Sequence, residues 1–270
     1  MTNGYYIDSH AHLYREYYPD DFRKVIQRAI EYRVEKIILP CVSAESLPDI
    51  FEVTRQFPKN LFPIIGLHPT DVNQGYKSQL SVLEKHLSDQ YVVGIGETGI
   101  DLYHDKTFYT EQVVAFETQL HWAKETQLPL SIHIRDGFNE ALSVLKKFKS
   151  TPLRGILHCF SGGIQEAQWA VDHGFLLGIS GVVTFKKNKL PAIVKEVGIK
   201  ALALETDAPF LAPDPYRGKR NESAYIPLIA EKIATVLELS VEEVMMATTA
   251  NVEAVFPCLA QPLKEKTGAN

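Results

Sequence analysis

Two histidines, His10 and His12, stand two residues apart just after a short apolar run that begins at Tyr6. In a β-strand such residues face the same side, so both imidazoles would point into one space. Two neutral imidazoles on one face form half of a metal site. A pair of core histidines bonded to neighbouring carboxylates would show the same spacing, so this motif by itself leaves both interpretations open.

Other residues of metal-ligating type stand at the ends of further apolar runs. Three are histidines and two are carboxylates: His68, His133, His158, Glu97 and Asp207. Four histidines and two carboxylates are enough for two divalent ions when one carboxylate bridges them, and such a pair can clamp an ester during hydrolysis. The remaining histidines fall in predicted helices or loops, where an exposed or hydrogen-bonded side chain is the simpler interpretation: His86, His104, His121 and His173.

The elements that would position these residues alternate along the chain, with eight apolar runs separated by stretches of helical periodicity. The runs are Tyr6–Leu13, Lys36–Val42, Phe62–His68, Tyr91–Glu97, Leu128–Arg135, Gly155–Phe160, Phe175–Ser180 and Ala201–Asp207. Alternating strands and helices predict a parallel sheet covered on both faces. Eight such units in 270 residues favour a (β/α)8 TIM barrel, one domain over 1–270, above an open doubly wound sheet. A capping-box spacing at Ser240 predicts an extra C-terminal helix.

The string at Gly94–Gly99 matches G-x-G-x-x-G, the fingerprint of dinucleotide binding. That fingerprint needs a helix that starts at its last glycine, and here the predicted helix begins several residues later. Glu97 would also place a carboxylate where phosphate oxygens should lie. We therefore predict no nicotinamide cofactor, interpret Glu97 as a metal ligand, and expect the glycines to pack closely where strand four turns into its loop.

Composition excludes several classes of protein. The net charge of −5 argues against a generally basic protein that coats DNA. Three cysteines without C-x-x-C spacing predict a reducing compartment and no disulfide framework. The sequence shows neither a signal peptide nor an apolar run of about 20 residues, so we expect a cytoplasmic protein without membrane association. Cys159 should alternate away from the mouth, which argues against a Cys–His nucleophile with His158.

Six motifs taken together are highly specific. They are DSHAHL (8–13), GLHP (66–69), GETGID (96–101), IHIRD (132–136), HCFSGG (158–163) and LETDAPFLAP (204–213). Over essentially its full length the sequence resembles the TatD family of metal-dependent deoxyribonucleases, which belongs with the amidohydrolase-type barrels. The resemblance implies one ion at His10, His12 and Asp207, a bridging Glu97, and a second ion completed by His133 and His158. It also implies that Asp207 accepts the proton of the attacking water.

Three further residues are candidates for supporting roles at the mouth. Arg135 shares the face of His133 and suits an anionic substrate, because guanidinium matches phosphate with two parallel hydrogen bonds; a salt bridge to Asp136 is the alternative. His68 is a candidate contact for a phosphate or a leaving group, or else a structural turn residue. Glu205 should lie one layer deeper than the ligands and orient a ligand histidine, or else pair with a buried cation.

Nucleic acid could be held by basic residues in the loops after strands seven and eight and by aromatic residues near the mouth. The basic candidates are Lys186, Lys187, Lys189, Arg217, Lys219 and Arg220. The aromatic side chains that could stack on bases are Tyr103, Phe160, Phe185 and Phe210. Overall acidity with modest basic patches favours a short single strand or a strand end over a long duplex.

The sequence thus predicts a deoxyribonuclease of the 3′–5′ exonuclease type that acts on DNA. The alternatives are a metal-dependent hydrolase of a small ester, amide or phosphate, or of aminoacyl-tRNA, because a fold does not fix a substrate. A non-catalytic metal-dependent scaffold is disfavoured by the complete ligand set. Histidine-rich ligation favours Zn²⁺, Mn²⁺ or Fe²⁺ on ligand softness, whereas the resemblance implies Mg²⁺. The oligomeric state is not predicted.

Overall fold

The computed structural model describes residues 4–260, in which eight parallel strands follow one another in sequence order around one sheet. The strands are β1 (Tyr6–Asp8), β2 (Val34–Pro40), β3 (Leu61–Ile65), β4 (Gly94–Asp101), β5 (Leu130–Arg135), β6 (Gly155–His158), β7 (Phe175–Ile179) and β8 (Leu202–Leu204). The helices are α1 (Phe22–Glu31), α2 (Leu47–Gln56), α3 (Tyr76–Glu84), α4 (Tyr109–Thr126), α5 (Phe138–Leu145), α6 (Ile164–Asp172), α7 (Leu190–Val197), α8 (Ile226–Leu237) and α9 (Val241–Val255).

The first and last strands are joined beyond their regular ends. The Ser9 amide donates to the Leu204 carbonyl at 2.9 Å, and the Asp207 amide donates to the His10 carbonyl at 2.9 Å. The buried Asp8 carboxylate accepts from the Thr206 amide at 2.9 Å and from the Thr206 hydroxyl at 2.6 Å. These bonds bring β1 and β8 together, so the predicted TIM barrel is confirmed and the open sheet is wrong.

Hydrophobic burial on both faces of the strands explains why the barrel forms. All five residues of β3 and of β7 are buried, as expected for parallel strands that lie under helices. The predicted extra helix is α9, and its first turn is fixed by the expected capping box: the Ser240 amide donates to Glu243 Oε2 at 2.8 Å. No helix within residues 4–260 is both long and apolar enough to cross a bilayer.

Several strands differ from their predicted lengths near the site residues. β3 ends at Ile65 and β8 at Leu204, so His68 and Asp207 lie beyond the strand ends at which they were predicted. β1 ends at Asp8, although the chain beyond it still pairs through an isolated bridge between Ala11 and Ala208. β4 continues to Asp101, whereas the sequence predicts its end at Glu97. Its pairing with β5 shifts register between Ile95 and Thr98, and this irregularity lets the strand continue past Glu97.

The glycines of β4 explain that irregularity. Gly96 and Gly99 have φ values of 149° and 142°, which side chains with a Cβ rarely adopt. A Cβ on Gly99 would lie 1.9 Å from the His133 carbonyl oxygen on β5. These glycines therefore provide close backbone packing, as predicted. The packing lies within the strand, whereas the sequence predicted it at the turn from strand four into its loop.

Candidate metal centre

Polar side chains converge at the C-terminal mouth of the barrel, the end at which TIM-barrel active sites form. They surround a cavity of about 1270 Å³. The predicted site residues that line it are His12, His68, Glu97, His133, His158 and Asp207. Residues brought together from six different strands and their loops therefore share one space, as the sequence predicts.

Glu97 lies at the centre of this cluster and is almost completely buried. Its Oε2 lies 3.1 Å from His10 Nε2 and 3.5 Å from His12 Nε2. Its Oε1 lies 3.2 Å from His68 Nε2 and 3.1 Å from His133 Nδ1. Burial alone would raise the pKa of Glu97, but the facing His68 and His10 outweigh it and hold the pKa well below its ordinary value.

Asp207 approaches the cluster from the other side, three residues after β8. Its Oδ1 lies 3.4 Å from His12 Nε2 and 3.6 Å from His158 Nε2. Behind His158, Glu205 Oε1 lies 3.1 Å from Nδ1, although the N–H direction is too poorly aligned for a regular hydrogen bond. Burial lowers the pKa of His158, but Glu205 and Asp207 outweigh that effect and raise it to about 10.

The imidazole nitrogens that point away from the centre are also occupied. His10 Nδ1 lies 3.1 Å from the Ser131 hydroxyl, and His133 Nε2 lies 2.9 Å from Asp101 Oδ2. Such outer partners fix the tautomer and the ring orientation of histidines that bind metals. Sequence reasoning identified Glu205 as a partner of this kind but missed Asp101 and Ser131.

The missed Asp101 follows from the misjudged length of β4. Asp101 lies four residues after Glu97, so both side chains share one face of a strand that runs through both positions. If the strand ended at Glu97, Asp101 would lie in a loop. The direction of a side chain in a loop cannot be predicted from the two-residue alternation of a strand. Burial raises the pKa of Asp101, but hydrogen bonds from His133 and His104 outweigh it and leave the pKa below its ordinary value.

The donor set fits one or more divalent cations. One atom from each of His10, His12 and Glu97 lies within 4.8 Å of the others, and the same holds for His10 with His158 and Asp207. The two Nε2 atoms of His10 and His12 lie 3.3 Å apart. Between neutral imidazoles at most one proton can serve that contact, whereas a cation can accept both lone pairs.

A third set combines His68 with Glu97 and His133. His68 of this set lies nearer to Glu97 Oε1 than His158 does. His68 Nε2 is 3.2 Å from that oxygen, whereas His158 Nε2 is 3.8 Å from it. His68 is at the same time a turn residue, since its Nδ1 accepts from the Thr70 amide at 3.2 Å. The structure thus places His68 in a turn next to the candidate metal centre, and its role as a phosphate or leaving-group contact stays a prediction.

Comparison with known proteins supports the motif-based resemblance. The family model described as TatD related DNase matches residues 7–257. This chain belongs to the TatD family. It is similar to the uncharacterized metal-dependent hydrolase YabD of Bacillus subtilis, with 36% identity over 250 residues, 92% of this chain and 98% of that protein.

Two further relatives and one solved structure extend the comparison. The uncharacterized metal-dependent hydrolase YcfH of Escherichia coli K12 is 30% identical, with coverage of 93% of this chain and 95% of that protein. A protein of Erwinia amylovora named 3′–5′ ssDNA/RNA exonuclease TatD is 28% identical, with coverage of 87% and 93%. The crystal structure of YJJV, a TatD homolog from Escherichia coli K12, superposes with a TM-score of 0.86 at 26% identity, covering 93% and 98%. The chain is a metal-dependent hydrolase of this family.

Arg135 and Tyr103 line the cavity of this TatD-family hydrolase together. The Arg135 guanidinium lies 3.7 Å from the centre of the Tyr103 ring. Among residues 4–260, Arg135 forms no ion pair with Asp136 or any other carboxylate, so the alternative proposed from the sequence does not apply. By contrast, Arg15 on the opposite wall is paired with Asp49 and Glu52.

Several predicted substrate contacts do not line the cavity, and one of them is wrong. Phe160 is only 3% exposed and packs edge-to-face against Phe138 at 5.7 Å, so no base can stack on it. Arg220 is paired with Asp21 at 2.6 Å and lies over the Tyr18 ring at 4.5 Å.

The other basic candidates lie outside the wall of the cavity. They are Lys186, Lys187, Lys189, Arg217 and Lys219. Arg217 lies over the Phe185 ring at 4.4 Å, and Lys219 lies over the Tyr216 ring at 5.7 Å. Within residues 4–260 neither cation forms an ion pair with a carboxylate, and binding of phosphates by these residues stays a prediction.

Cys159 also differs from its prediction. Its φ of 43° breaks the strand alternation directly after His158, and the residue lines the cavity instead of pointing away from it. Burial raises the pKa of the Cys159 thiol well above its ordinary value, with the negative charges of Asp207 and Glu205 adding to the effect. The thiol is therefore neutral. A Cys–His nucleophile is still disfavoured, because the thiol is not ionised and not because its side chain points away from the mouth.

Aromatic residues form the cavity wall next to His12. Two of them, Tyr14 and Tyr17, were not identified from the sequence motifs. Tyr14 and Tyr17 stack with ring centres 5.8 Å apart, and Phe210 meets Tyr17 edge-to-face at 5.7 Å. Phe210, one of the predicted stacking residues, also lies 5.8 Å from His12 and is 46% exposed. An exposed aromatic surface next to the ligands is what base stacking requires.

Proposed function

We propose that this TatD-family hydrolase cleaves phosphodiester bonds at the end of a single nucleic acid strand, as a deoxyribonuclease of the 3′–5′ exonuclease type. The observation that carries the proposal is the buried Glu97 carboxylate between two sets of imidazoles at the base of an open cavity. A relative named as a single-strand DNA and RNA exonuclease adds support from outside the chain.

We assign the ligands of two divalent ions from the contacts around Glu97. His10, His12 and Asp207 would hold one ion, His133 and His158 the other, and Glu97 would reach both because its two oxygens face different histidines. When bound, the ions would lower the pKa of water and neutralise charge on the phosphate. The donor set suits Zn²⁺ or Mn²⁺, and Mg²⁺ remains the ion that the family resemblance implies.

Asp207 is the proposed general base. Burial raises its pKa, but the facing His158 and His12 outweigh burial and leave the pKa below its ordinary value. The carboxylate is therefore ionised at neutral pH and can accept a proton from the attacking water. Its Oδ1 lies at the mouth, 3.4 Å from His12 Nε2, on the cavity side of the cluster.

His68 is the proposed contact for a phosphate oxygen. Because Nδ1 accepts from the Thr70 amide, the proton of the neutral ring lies on Nε2, which faces the cavity and Glu97. A donor at that position can bind an anionic oxygen of the substrate. Glu205 would hold His158 in place from behind, at 3.1 Å.

A strand end is favoured over a long duplex by the charge of the cavity wall. Four carboxylates from the segments that follow β1, β2 and β3 line the cavity: Glu16, Glu45, Asp49 and Asp71. Only Asp49 of these is paired with an arginine, Arg15. A polyanion that continued past this wall would meet repulsion, whereas a terminal nucleoside against Tyr17 and Phe210 would not.

The test is Asp207→Asn, assayed on a short single-stranded oligonucleotide with defined divalent ions. We expect a loss of about 10²–10⁴-fold in turnover, the range for a lost general base, without a fall in the thermal midpoint. Asp172→Asn, at the exposed end of α6, is the matched control and should retain full activity. Turnover of Asp207→Asn at the wild-type level would refute the assignment of the base.

A substrate panel tests the proposed reaction itself. Single-stranded DNA, aminoacyl-tRNA and small esters and phosphotriesters would be offered with the same ions. We expect metal-stimulated cleavage of the oligonucleotide. A preference for the aminoacyl ester or for a small ester would refute the proposed deoxyribonuclease activity. The broader assignment as a metal-dependent hydrolase would stand.

A further inference from the structure

His104 has a defined place at the rim of the cavity, although its sequence context suggests an ordinary loop histidine. It follows β4 directly, its side chain is 51% exposed, and it lines the cavity. Its Nδ1 lies 2.9 Å from Asp101 Oδ2. Its Nε2 forms no hydrogen bond within residues 4–260. One nitrogen is therefore fixed while the other is free to meet a ligand.

Asp101 links His104 to the metal centre. Its Oδ2 is 2.9 Å from both His104 Nδ1 and His133 Nε2, and its Oδ1 accepts from the amides of Tyr103 and His104 at 3.0 and 2.9 Å. An ionised carboxylate only accepts hydrogen bonds, so both imidazoles carry protons on the nitrogens that face it. The same carboxylate that orients a proposed ligand thus orients the rim histidine.

Arg135 provides a cation that contacts Tyr103, the sequence neighbour of His104. Its guanidinium lies against the Tyr103 ring at 3.7 Å, and the Tyr103 and His104 ring centres are 5.1 Å apart. Stacking on a ring holds the guanidinium without using its five N–H donors, which match a phosphate in pairs. We call His104, Tyr103 and Arg135 the rim group.

We propose that the rim group is a second phosphate subsite, in which His104 and Arg135 bind the phosphate next to the scissile one. This inference rests on the proposed function, because it presupposes a substrate with more than one phosphate. From Glu97 Oε1 the path runs through the His133 ring (3.1 Å), Asp101 (2.9 Å) and His104 (2.9 Å). This short chain of contacts places His104 close to the candidate metal centre, on the wall of the same cavity, where the phosphate next to the scissile one would lie.

Asp101 is a positioning residue for the subsite and does not touch the substrate. It is completely buried, and both of its oxygens are already occupied by donors. With its Nδ1–H directed at Asp101, His104 presents Nε2 to the cavity, and it can donate from Nε2 to a phosphate oxygen when both ring nitrogens carry protons.

The first experiment compares two substrates in each variant. One is a thymidine trinucleotide, which has a neighbouring phosphate, and the other is bis(p-nitrophenyl) phosphate, which has none. For His104→Ala and for Arg135→Ala, the ratio of kcat/KM for the trinucleotide to that for the small ester should fall about tenfold, or ~1.4 kcal/mol. KM should account for the fall more than kcat. His121→Ala, an exposed histidine on α4, is the control and should keep the wild-type ratio.

The second experiment measures binding without turnover. The imidazole ¹⁵N signals of His104, assigned with His104→Gln, would be followed during titration of the protein with the trinucleotide. We expect them to shift, and to shift less in Arg135→Ala. The subsite would be refuted if the wild type cleaved both substrates and if His104→Ala and Arg135→Ala both kept the wild-type ratio of kcat/KM for the trinucleotide to that for the small ester.

The two experiments separate the two proposals. A wild type that cleaves neither phosphodiester but still shows the His104 shift would refute the nuclease and retain the subsite. A wild type that shows neither cleavage nor shift would refute both.

Discussion

Asp101→Asn is the most revealing single change at the metal centre, because it alters hydrogen-bond donors and acceptors without altering shape. The carboxylate accepts from two imidazoles through Oδ2 and from two backbone amides through Oδ1. An amide has only one oxygen, and its NH₂ group must then face two donors. The orientation of the new side chain decides which pair loses its acceptor.

The backbone amides of Tyr103 and His104 cannot change, whereas an imidazole can move its proton. We therefore expect the oxygen of the substituted side chain to face the amides and its NH₂ to face the rings. His133 would then place its lone pair at Nε2 and its proton at Nδ1, the nitrogen that lies 3.1 Å from Glu97 Oε1. A protonated Nδ1 cannot bind an ion, so metal binding must reverse this tautomer against the amide.

The expected loss is about 10–100-fold in affinity for one ion, the usual cost of removing such a partner. In free energy that is about 1.4–2.8 kcal/mol. The ion at His10, His12 and Asp207 should be affected less, because Asp101 touches none of those side chains.

Competition between the protein and a chromophoric chelator for Zn²⁺ or Mn²⁺ measures both affinities. Asp105→Asn is the matched control, because this exposed carboxylate accepts from the Thr107 amide and forms no hydrogen bond with an imidazole within residues 4–260. The argument about the tautomer would be refuted if Asp101→Asn bound ions at both sites with affinities within about threefold of wild type. Such a change is much smaller than the loss expected when an outer partner of a ligand histidine is missing. An equal loss at both sites would show that Asp101 acts through general stability instead.

Three further predictions test the centre and its surroundings. Glu97→Ala should reduce the bound metal from two ions to one or none, as counted by elemental analysis; full occupancy would contradict the bridging role. Gly99→Ala should unfold the protein at a markedly lower temperature, because its Cβ would lie 1.9 Å from the His133 carbonyl oxygen; an unchanged melting curve would show that the strands can separate. Alanine at the three lysines of residues 186–189 should reduce the salt dependence of DNA binding, by about one in slope for each phosphate that is no longer neutralised; an unchanged slope would place these lysines away from the strand.

The barrel and the ligand-type residues were predictable because both depend on simple periods. Apolar runs that alternate with helical stretches indicate the strands, and polar residues at the ends of those runs mark the mouth. His12 and Asp207 illustrate the result, since they lie 3.4 Å apart although 195 positions of a 270-residue sequence separate them. Strand order in sequence brings them together without any knowledge of side-chain conformation.

The predictions failed where a period was interrupted by backbone conformation. Gly96 and Gly99 carry β4 through an irregular register, which hid Asp101. The positive φ of Cys159 turned a residue expected outside into one that lines the cavity. Phe160 could not be placed either, because packing against Phe138 depends on how two loops meet. Dihedral angles of single residues and loop packing are not encoded in the spacing of residue types.

The seam between β1 and β8 has a consequence for the synthesis of the protein. The Thr206 hydroxyl reaches the Asp8 carboxylate across 198 positions of sequence, and His10 and Asp207 meet at the same seam. A ribosome-bound chain that has not yet released β8 therefore has the histidines of β1 but not their carboxylate partner. Contacts this distant form late, because the loop they close is long. Tight ion capture at His10 and His12 would thus report that β8 has left the ribosome and that the barrel has closed.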